Sequence, residues 1–216
     1  MPYAVKEIFY TLQGEGLNAG RAAVFVRFSG CNLWNGREED RHKGSGGCSQ
    51  WCDTNFVGTD GVGGGRFGSA TELAGRVATT WRGQASTNVR KLVVFTGGEP
   101  ALQLDDQLVA AVHDEGFSAA IETNGSIALP QGVDWVCLSP KAGAPLVVTK
   151  GDELKFVYPQ EGLEPADFEH LAFGSWLIQP RDGLAREKHT QQAVAYCLSN
   201  PRWRLSLQTH KVVGLP

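Results

Sequence analysis

The chain has 216 residues, with 20 Lys and Arg against 23 Asp and Glu and a formal net charge of −3. That length buries roughly 70% of the unfolded surface without disulfide staples, and one domain over residues 1–216 is the expectation. The charge balance gives no electrostatic reason for a nucleic-acid partner. No stretch approaches the about 18 apolar residues of a membrane span, and residues 1–10 lack the basic-then-apolar layout of a secretory signal, so a cytoplasmic protein is expected.

In chain order, the first predicted strand is the β-branched run at residues 22–28. It runs into Ser29-Gly30-Cys31 and then a polar, glycine-rich excursion over residues 32–67. The mixed charges of residues 37–43 predict a solvated surface helix, with docking of an electron donor as the sharper alternative. The glycine run 58–65 has no clean strand before it and no Lys-Ser/Thr after it, so it is no phosphate loop; a mobile surface loop is expected. Ser69-Ala70-Thr71-Glu72 is a capping-box pattern that predicts a helix to about residue 81. A strand at 92–95 follows, then a helix with the apolar stripe Leu104, Leu108, Ala111 and Val112. Strands are predicted at 119–121, 135–138, 154–157 and 176–178, a helix at 186–199 and a last strand at 203–207.

Strands alternating with helices predict an α/β fold with a mainly parallel sheet. Only the nine residues 126–134 separate the polar cluster after the 119–121 strand from the strand at 135–138, short of the dozen or so of a crossover helix. A full (β/α)₈ barrel takes about 250 residues, and this chain spends over thirty on the excursion. The expected fold is therefore a partial, incomplete TIM-like barrel of mainly parallel strands, with eroded helices and a long loop. A doubly wound open sheet is the alternative.

Most predicted strands lead at once into a polar cluster: Thr96-Gly97-Gly98-Glu99-Pro100, Glu122-Thr123-Asn124-Gly125, Ser139-Pro140-Lys141, Gln179-Pro180 and Gln208-Thr209-His210. In a parallel sheet these converge on the rim where barrel enzymes place their sites. Turn chemistry accounts for Gly, Pro, Asn and Ser, but not for Glu122, Lys141 and His210.

Of five cysteines, Cys137 and Cys197 sit in apolar surroundings and are expected to pack as small apolar side chains. Cys31, Cys48 and Cys52 cluster, with sixteen and then three residues between them. Three thiolates can hold three irons of a [4Fe–4S] cluster and leave the fourth open. On spacing alone a zinc site completed by His42 stays in contention.

Gly97-Gly98-Glu99-Pro100, after a strand and about forty-five residues beyond the cysteines, resembles the radical S-adenosylmethionine superfamily. The long first interval resembles its 7-carboxy-7-deazaguanine synthase branch, whose second interval is usually two residues. The resemblance runs almost end to end, through Tyr10-Thr11-Leu12-Gln13-Gly14-Glu15-Gly16, Arg27 with Cys31-Asn32-Leu33-Trp34, Trp51-Cys52-Asp53-Thr54, and the tail Gln208-Thr209-His210-Lys211.

The resemblance implies that Cys31, Cys48 and Cys52 hold the [4Fe–4S] cluster. It implies S-adenosylmethionine held by Trp51, Asp53, Gly98, Glu99, Glu122, Ser139, Lys141 and Gln179. The substrate implied is 6-carboxy-5,6,7,8-tetrahydropterin, met by Leu12, Gln13, Gly14, Glu15, Arg27, Thr96, His210 and Pro216, with Mg²⁺ at Thr54. Reductive cleavage of the cofactor would give a 5′-deoxyadenosyl radical, and ring contraction with loss of ammonia would follow. It further implies a homodimer, an electron donor such as a flavodoxin, and a C-terminal tail docked at the site. Arg27 suits a two-point carboxylate contact, with a buried ion pair to a protein carboxylate as the bland alternative. Two rival functions stand beside this one: a glycyl-radical enzyme activase and a zinc-stabilised, non-enzymatic binding module.

Overall fold

Successive side chains of a strand face opposite ways, and that period sorts this molecule into layers. The computed structural model describes residues 2–83 and 90–216. Among them run β1 (Tyr3–Leu12), β2 (Ala22–Phe28), β3 (Gly65–Phe67), β4 (Lys91–Gly97), β5 (Phe117–Thr123), β6 (Trp135–Leu138), β7 (Lys150–Tyr158), β8 (Ala172–Pro180) and β9 (Trp203–Leu205). The helices are α1 (Ala70–Thr80), α2 (Asp106–Asp114), α3 (Arg186–Ser199) and α4 (Thr209–Val213).

One sheet takes the order β3-β1-β2-β4-β5-β6-β7-β8-β9. From β2 onward every neighbouring pair is parallel, while β1 is antiparallel to both β2 and β3. The parallel strands follow chain order without the reversal that defines a doubly wound sheet, so the fold is the partial barrel. Between β5 and β6 the parallel step is made by an irregular loop without a helix, as the short spacing predicts.

The outward residues of β2, β4 and β5 (Val24, Val26, Phe28, Val93, Phe95, Ile121) pack against Leu73 and Val77 of α1 and Leu108 and Val112 of α2. Leu154, Phe156 and Ile178 do the same with Ala193 of α3 and with Trp203. Each fully buried aliphatic or aromatic side chain of this kind contributes about 1.5–3 kcal/mol. The inward residues behave differently along their length. Ala23, Phe25, Leu92, Val94 and Ala120 form an apolar plug with Phe9 and Trp135. Two residues further along the same strands come Arg27, Thr96 and Glu122, and β7 and β8 bring in Lys155 and Gln179. The concave side is thus apolar at its base and polar at the carboxyl ends of the strands.

Three expectations need correction. The glycine run is docked rather than loose: Ile8 N donates to Val62 O at 2.8 Å and Gly61 N to Lys6 O at 2.9 Å. A Cβ at Gly64 would stand 2.1 Å from Lys6 O, so glycine is what lets this segment lie against β1. Strand β1 itself, broken in pattern by Lys6 and Glu7, was not predicted; a register irregularity between Val5 and Glu7 accounts for that. The capping box at Ser69 is half formed. Ser69 Oγ accepts from Glu72 N at 3.2 Å, but the Glu72 carboxylate takes Gly68 N instead of Ser69 N. Among the described residues, no helix is long and apolar enough to cross a membrane.

Candidate active site

The carboxyl ends of the strands open on a cavity of about 400 Å³, a size suited to small ligands. Cys31 enters it directly after β2, through Gly30 at φ 94°. Gly98 lies against this turn: a Cβ there would be 2.3 Å from Gly30 O and 2.7 Å from Cys31 Cβ. Cys48 sits in a 3-10 turn over Gly47–Gln50, and Cys52 N donates back to Cys48 O at 2.7 Å. That extra turn accommodates the three-residue interval while both thiols stay on the cavity. Gly47 N bonds Ala142 O at 2.8 Å, which ties the loop to the segment after β6.

The charged run is a 3-10 helix over Glu38–Lys43 with no buried residue, yet Arg41 reaches back from it. Its terminal nitrogens donate to Ser49 O at 2.6 Å and Cys52 O at 3.0 Å, and its guanidinium lies 4.6 Å from the Trp34 ring centre. Burial pushes the Cys31 thiol up and the Cys48 thiol to about 11; metal ligation deprotonates such thiols. His42 is exposed and off the cavity lining. Among the described residues, no three His, Cys, Asp or Glu side chains stand close enough to close on one metal ion.

The cavity lining also carries an ionic network. Lys155 Nζ bonds Glu15 Oε2 and lies 3.5 Å from Glu122 Oε1. Glu122 also accepts from Gln13 Nε2 at 2.9 Å, and Glu15 from Gln208 Nε2 at 2.8 Å. Burial alone would raise the Glu15 pKa; the Lys155 charge, with donors from Lys155, Gln208 and Gln179, brings it down to about 2. Burial likewise works against the Lys155 ammonium, and Cys137, Glu122 and Glu15 outweigh it and raise its pKa. Arg27 Nε pairs with Glu7 Oε1 at 2.7 Å across the β1–β2 ladder. Lys141 Nζ holds Ser139 O and Oγ at 2.8 and 2.6 Å and faces the Trp51 ring.

Gln13, Glu15, Arg27, Trp51, Asp53, Thr54, Thr96, Gly98, Glu122, Ser139, Lys141, Gln179, His210 and Pro216 all line this cavity together with the three cysteines. Leu12, Gly14 and Glu99 do not. Leu12 ends β1 and is 42% exposed. Gly14 serves as a platform for His210, whose ring would meet a Cβ there at 2.1 Å. Glu99 is fully buried: its carboxylate accepts from Thr123 Oγ1 at 2.7 Å, Asn124 N at 2.7 Å and Ala101 N at 2.9 Å. Asn124 in turn donates to Asn32 beside Cys31 at 3.1 Å. The tail is docked, with Thr209 N on Gly14 O at 2.8 Å and Lys211 Nζ bridging Asp53 and Asp182 at 2.7 and 2.6 Å.

Sequence reasoning missed Lys155 and Glu7, and it gave Gln208 and Lys211 no role beyond their place in the tail. Lys155 left a signal, a lone cation inside the apolar run 154–157, because a lysine in a strand covered on both faces needs a carboxylate partner.

No family model matches the chain. A curated relative from Bordetella pertussis, named 7-carboxy-7-deazaguanine synthase, is 58% identical over 216 residues and covers the whole of both chains. The chain belongs to the 7-carboxy-7-deazaguanine synthase family. A relative of the same name from Caulobacter vibrioides is 59% identical over 216 residues, again with full coverage of both. The crystal structure of QueE from Escherichia coli matches with a TM-score of 0.65 at 23% identity, over 96% of this chain and 94% of that one, a likeness of fold. Family membership displaces the glycyl-radical activase and the zinc-stabilised module.

Proposed function

We propose that this synthase converts 6-carboxy-5,6,7,8-tetrahydropterin to 7-carboxy-7-deazaguanine with loss of ammonia, as a radical S-adenosylmethionine enzyme in the route to deazapurines such as queuosine. One observation carries the reading: in a chain that matches synthases of that name end to end, Cys31, Cys48 and Cys52 open on the same cavity as Gln13, Glu15 and Arg27.

The residues fit a [4Fe–4S] cluster. Three thiols reach one end of the cavity and His42, the fourth ligand a closed zinc site would need, does not. When bound, the cluster and S-adenosylmethionine supply the electron and the 5′-deoxyadenosyl radical that removes hydrogen from the pterin.

The protein's part is binding, orientation and exclusion of water. Gly98, having no Cβ, packs directly on the Cys31 turn and so brings its backbone to the cavity beside the cofactor. Glu122, Ser139, Lys141 and Gln179 offer charge and hydrogen bonds around it, with Trp51 and Asp53 beside the adenosine. Glu99 acts one step away: it fixes Asn124, and through Asn32 the Cys31 turn. On the substrate side, Glu7 holds Arg27 by Nε, so that its terminal nitrogens are left to take the pterin carboxylate in a two-point contact. Glu15 and Gln13 accept from the pterin N–H edge, Thr96 adds a bond, and His210 with the Pro216 end closes the cavity.

Thr54 is the proposed protein contact to Mg²⁺, a cation that keeps waters and takes substrate oxygens readily. A homodimer, a flavodoxin-like electron donor, a cytoplasmic location and one domain over residues 1–216 complete the proposal. The test is anaerobic incubation with S-adenosylmethionine, reductant, Mg²⁺ and the carboxypterin. The deazaguanine acid is the expected product; its absence, with an intact cluster, overturns the assignment.

A further inference from the structure

Lys155 stands on the concave face of β7, with its side chain 4% exposed. It closes a ring of contacts. Its Nζ bonds Glu15 Oε2 and faces Glu122 Oε1 at 3.5 Å. Gln13 completes the circuit, its Nε2 donating to Glu122 Oε1 at 2.9 Å and its Oε1 accepting from Glu15 N at 3.0 Å. The ring joins the turn after β1 to the end of β5. Resting on the function proposed above, that is a join between the substrate side (Gln13, Glu15) and the cofactor side (Glu122).

Two carboxylates share one ammonium here, and the Lys155 side chain that carries it is only 4% exposed. Neither carboxylate can shift without changing what the other holds, because both answer to the same Nζ, and the Gln13 amide ties the Glu122 carboxylate to the Glu15 backbone. A ligand that fixes one side of such a ring removes part of the ordering cost that the other ligand would meet, and this couples the two sites without a large structural change. Coupling of this kind is reciprocal.

We propose that Lys155 is a positioning residue that couples the two ligand sites, so that S-adenosylmethionine and the carboxypterin each tighten the binding of the other. The chemistry benefits because a radical precursor is then retained most firmly when the pterin is also in place.

The test measures pterin Kd by titration calorimetry on cluster-loaded, unreduced enzyme, with and without saturating S-adenosylmethionine. In the unaltered enzyme the cofactor should lower the pterin Kd by about fivefold or more, the lower end of ordinary coupling. Lys155→Met keeps the volume and removes the charge; the ratio should fall below about twofold while iron and sulfide content stay unchanged. Glu122→Leu removes the acceptor that both Gln13 Nε2 and Lys155 Nζ use and should collapse the ratio too, which keeps the test decisive if Lys155→Met fails to fold. Weaker binding of each ligand with the ratio preserved overturns the proposal. So does a ratio near one in an unaltered enzyme that turns over normally, a result that leaves the synthase assignment standing. An unaltered enzyme that binds neither ligand overturns the synthase assignment and this proposal with it.

Discussion

Replacing Glu99 by Gln separates two roles for the Gly-Gly-Glu-Pro segment. The family resemblance puts this carboxylate on the cofactor; the structure turns it away, fully buried, onto Thr123, Asn124 and Ala101. An amide cannot reproduce those contacts. With its oxygen on the Thr123 and Ala101 side, its NH₂ faces the Asn124 N–H; in the other flip two donors lose their acceptor. The cheaper arrangement loses one charge-assisted bond and strands one buried donor, a cost of about 1.5–3 kcal/mol. In a chain of this size that lowers Tm by roughly 3–12 °C. The assay pairs anaerobic thermal unfolding of the cluster-loaded protein with a titration of S-adenosylmethionine. A lower Tm with cofactor Kd changed less than about threefold (under 1 kcal/mol) is expected. An unchanged Tm with Kd raised about tenfold or more would refute the positioning role.

Gly98→Ala should push the Cys31 turn away, since the new Cβ would stand 2.3 Å from Gly30 O and 2.7 Å from Cys31 Cβ. Iron and acid-labile sulfide per chain should drop sharply, and a full complement would contradict the packing. Arg27→Lys keeps a cation for Glu7 but loses the planar two-point face. The pterin KM should rise about tenfold, the equivalent of one charged hydrogen bond, with cofactor cleavage in the absence of pterin within twofold; equal loss of both would make Arg27 structural. Lys211→Met breaks the half-exposed bridges to Asp53 and Asp182, each worth at most about 1 kcal/mol. Faster hydrogen exchange in α4 and a higher pterin KM are expected at nearly unchanged Tm, whereas unaltered exchange would show that other contacts hold the tail. The Glu15 pKa is depressed to about 2 from 4.5, so its stabilising contribution is complete above about 4.5 and lost as pH falls towards 2. Denaturation midpoints of Glu15→Gln across that window should be less acid-sensitive than those of the unaltered chain; parallel curves would contradict the ion pair.

The parallel core was legible because its strands are short apolar runs, several of them β-branched, and most lead into a polar cluster. The cavity lining was legible for a related reason: Thr96, Glu122 and Gln179 lie near the ends of β4, β5 and β8, and Cys31 and Ser139 follow β2 and β6. What stayed hidden depends on pairings between distant segments. Glu7 meets Arg27 only across the antiparallel β1–β2 ladder, and Lys155 meets Glu15 only once the barrel curves. Glu99 follows two glycines that line the cavity, yet its side chain is buried off that lining, because Thr123 and Asn124, 24 and 25 residues away, hold its carboxylate. The glycines at 61–64 read as looseness, although a Cβ there would strike β1.

At the centre of the proposed function stands a cluster that Cys31, Cys48 and Cys52 would hold, with one iron left for the cofactor. Electron paramagnetic resonance of the reduced protein, recorded with and without S-adenosylmethionine, addresses it directly. A four-iron cluster signal that changes on adding the cofactor, and that vanishes in Cys48→Ala, is the expected result. A signal indifferent to S-adenosylmethionine, or one that survives the loss of Cys48, would contradict the open-iron site.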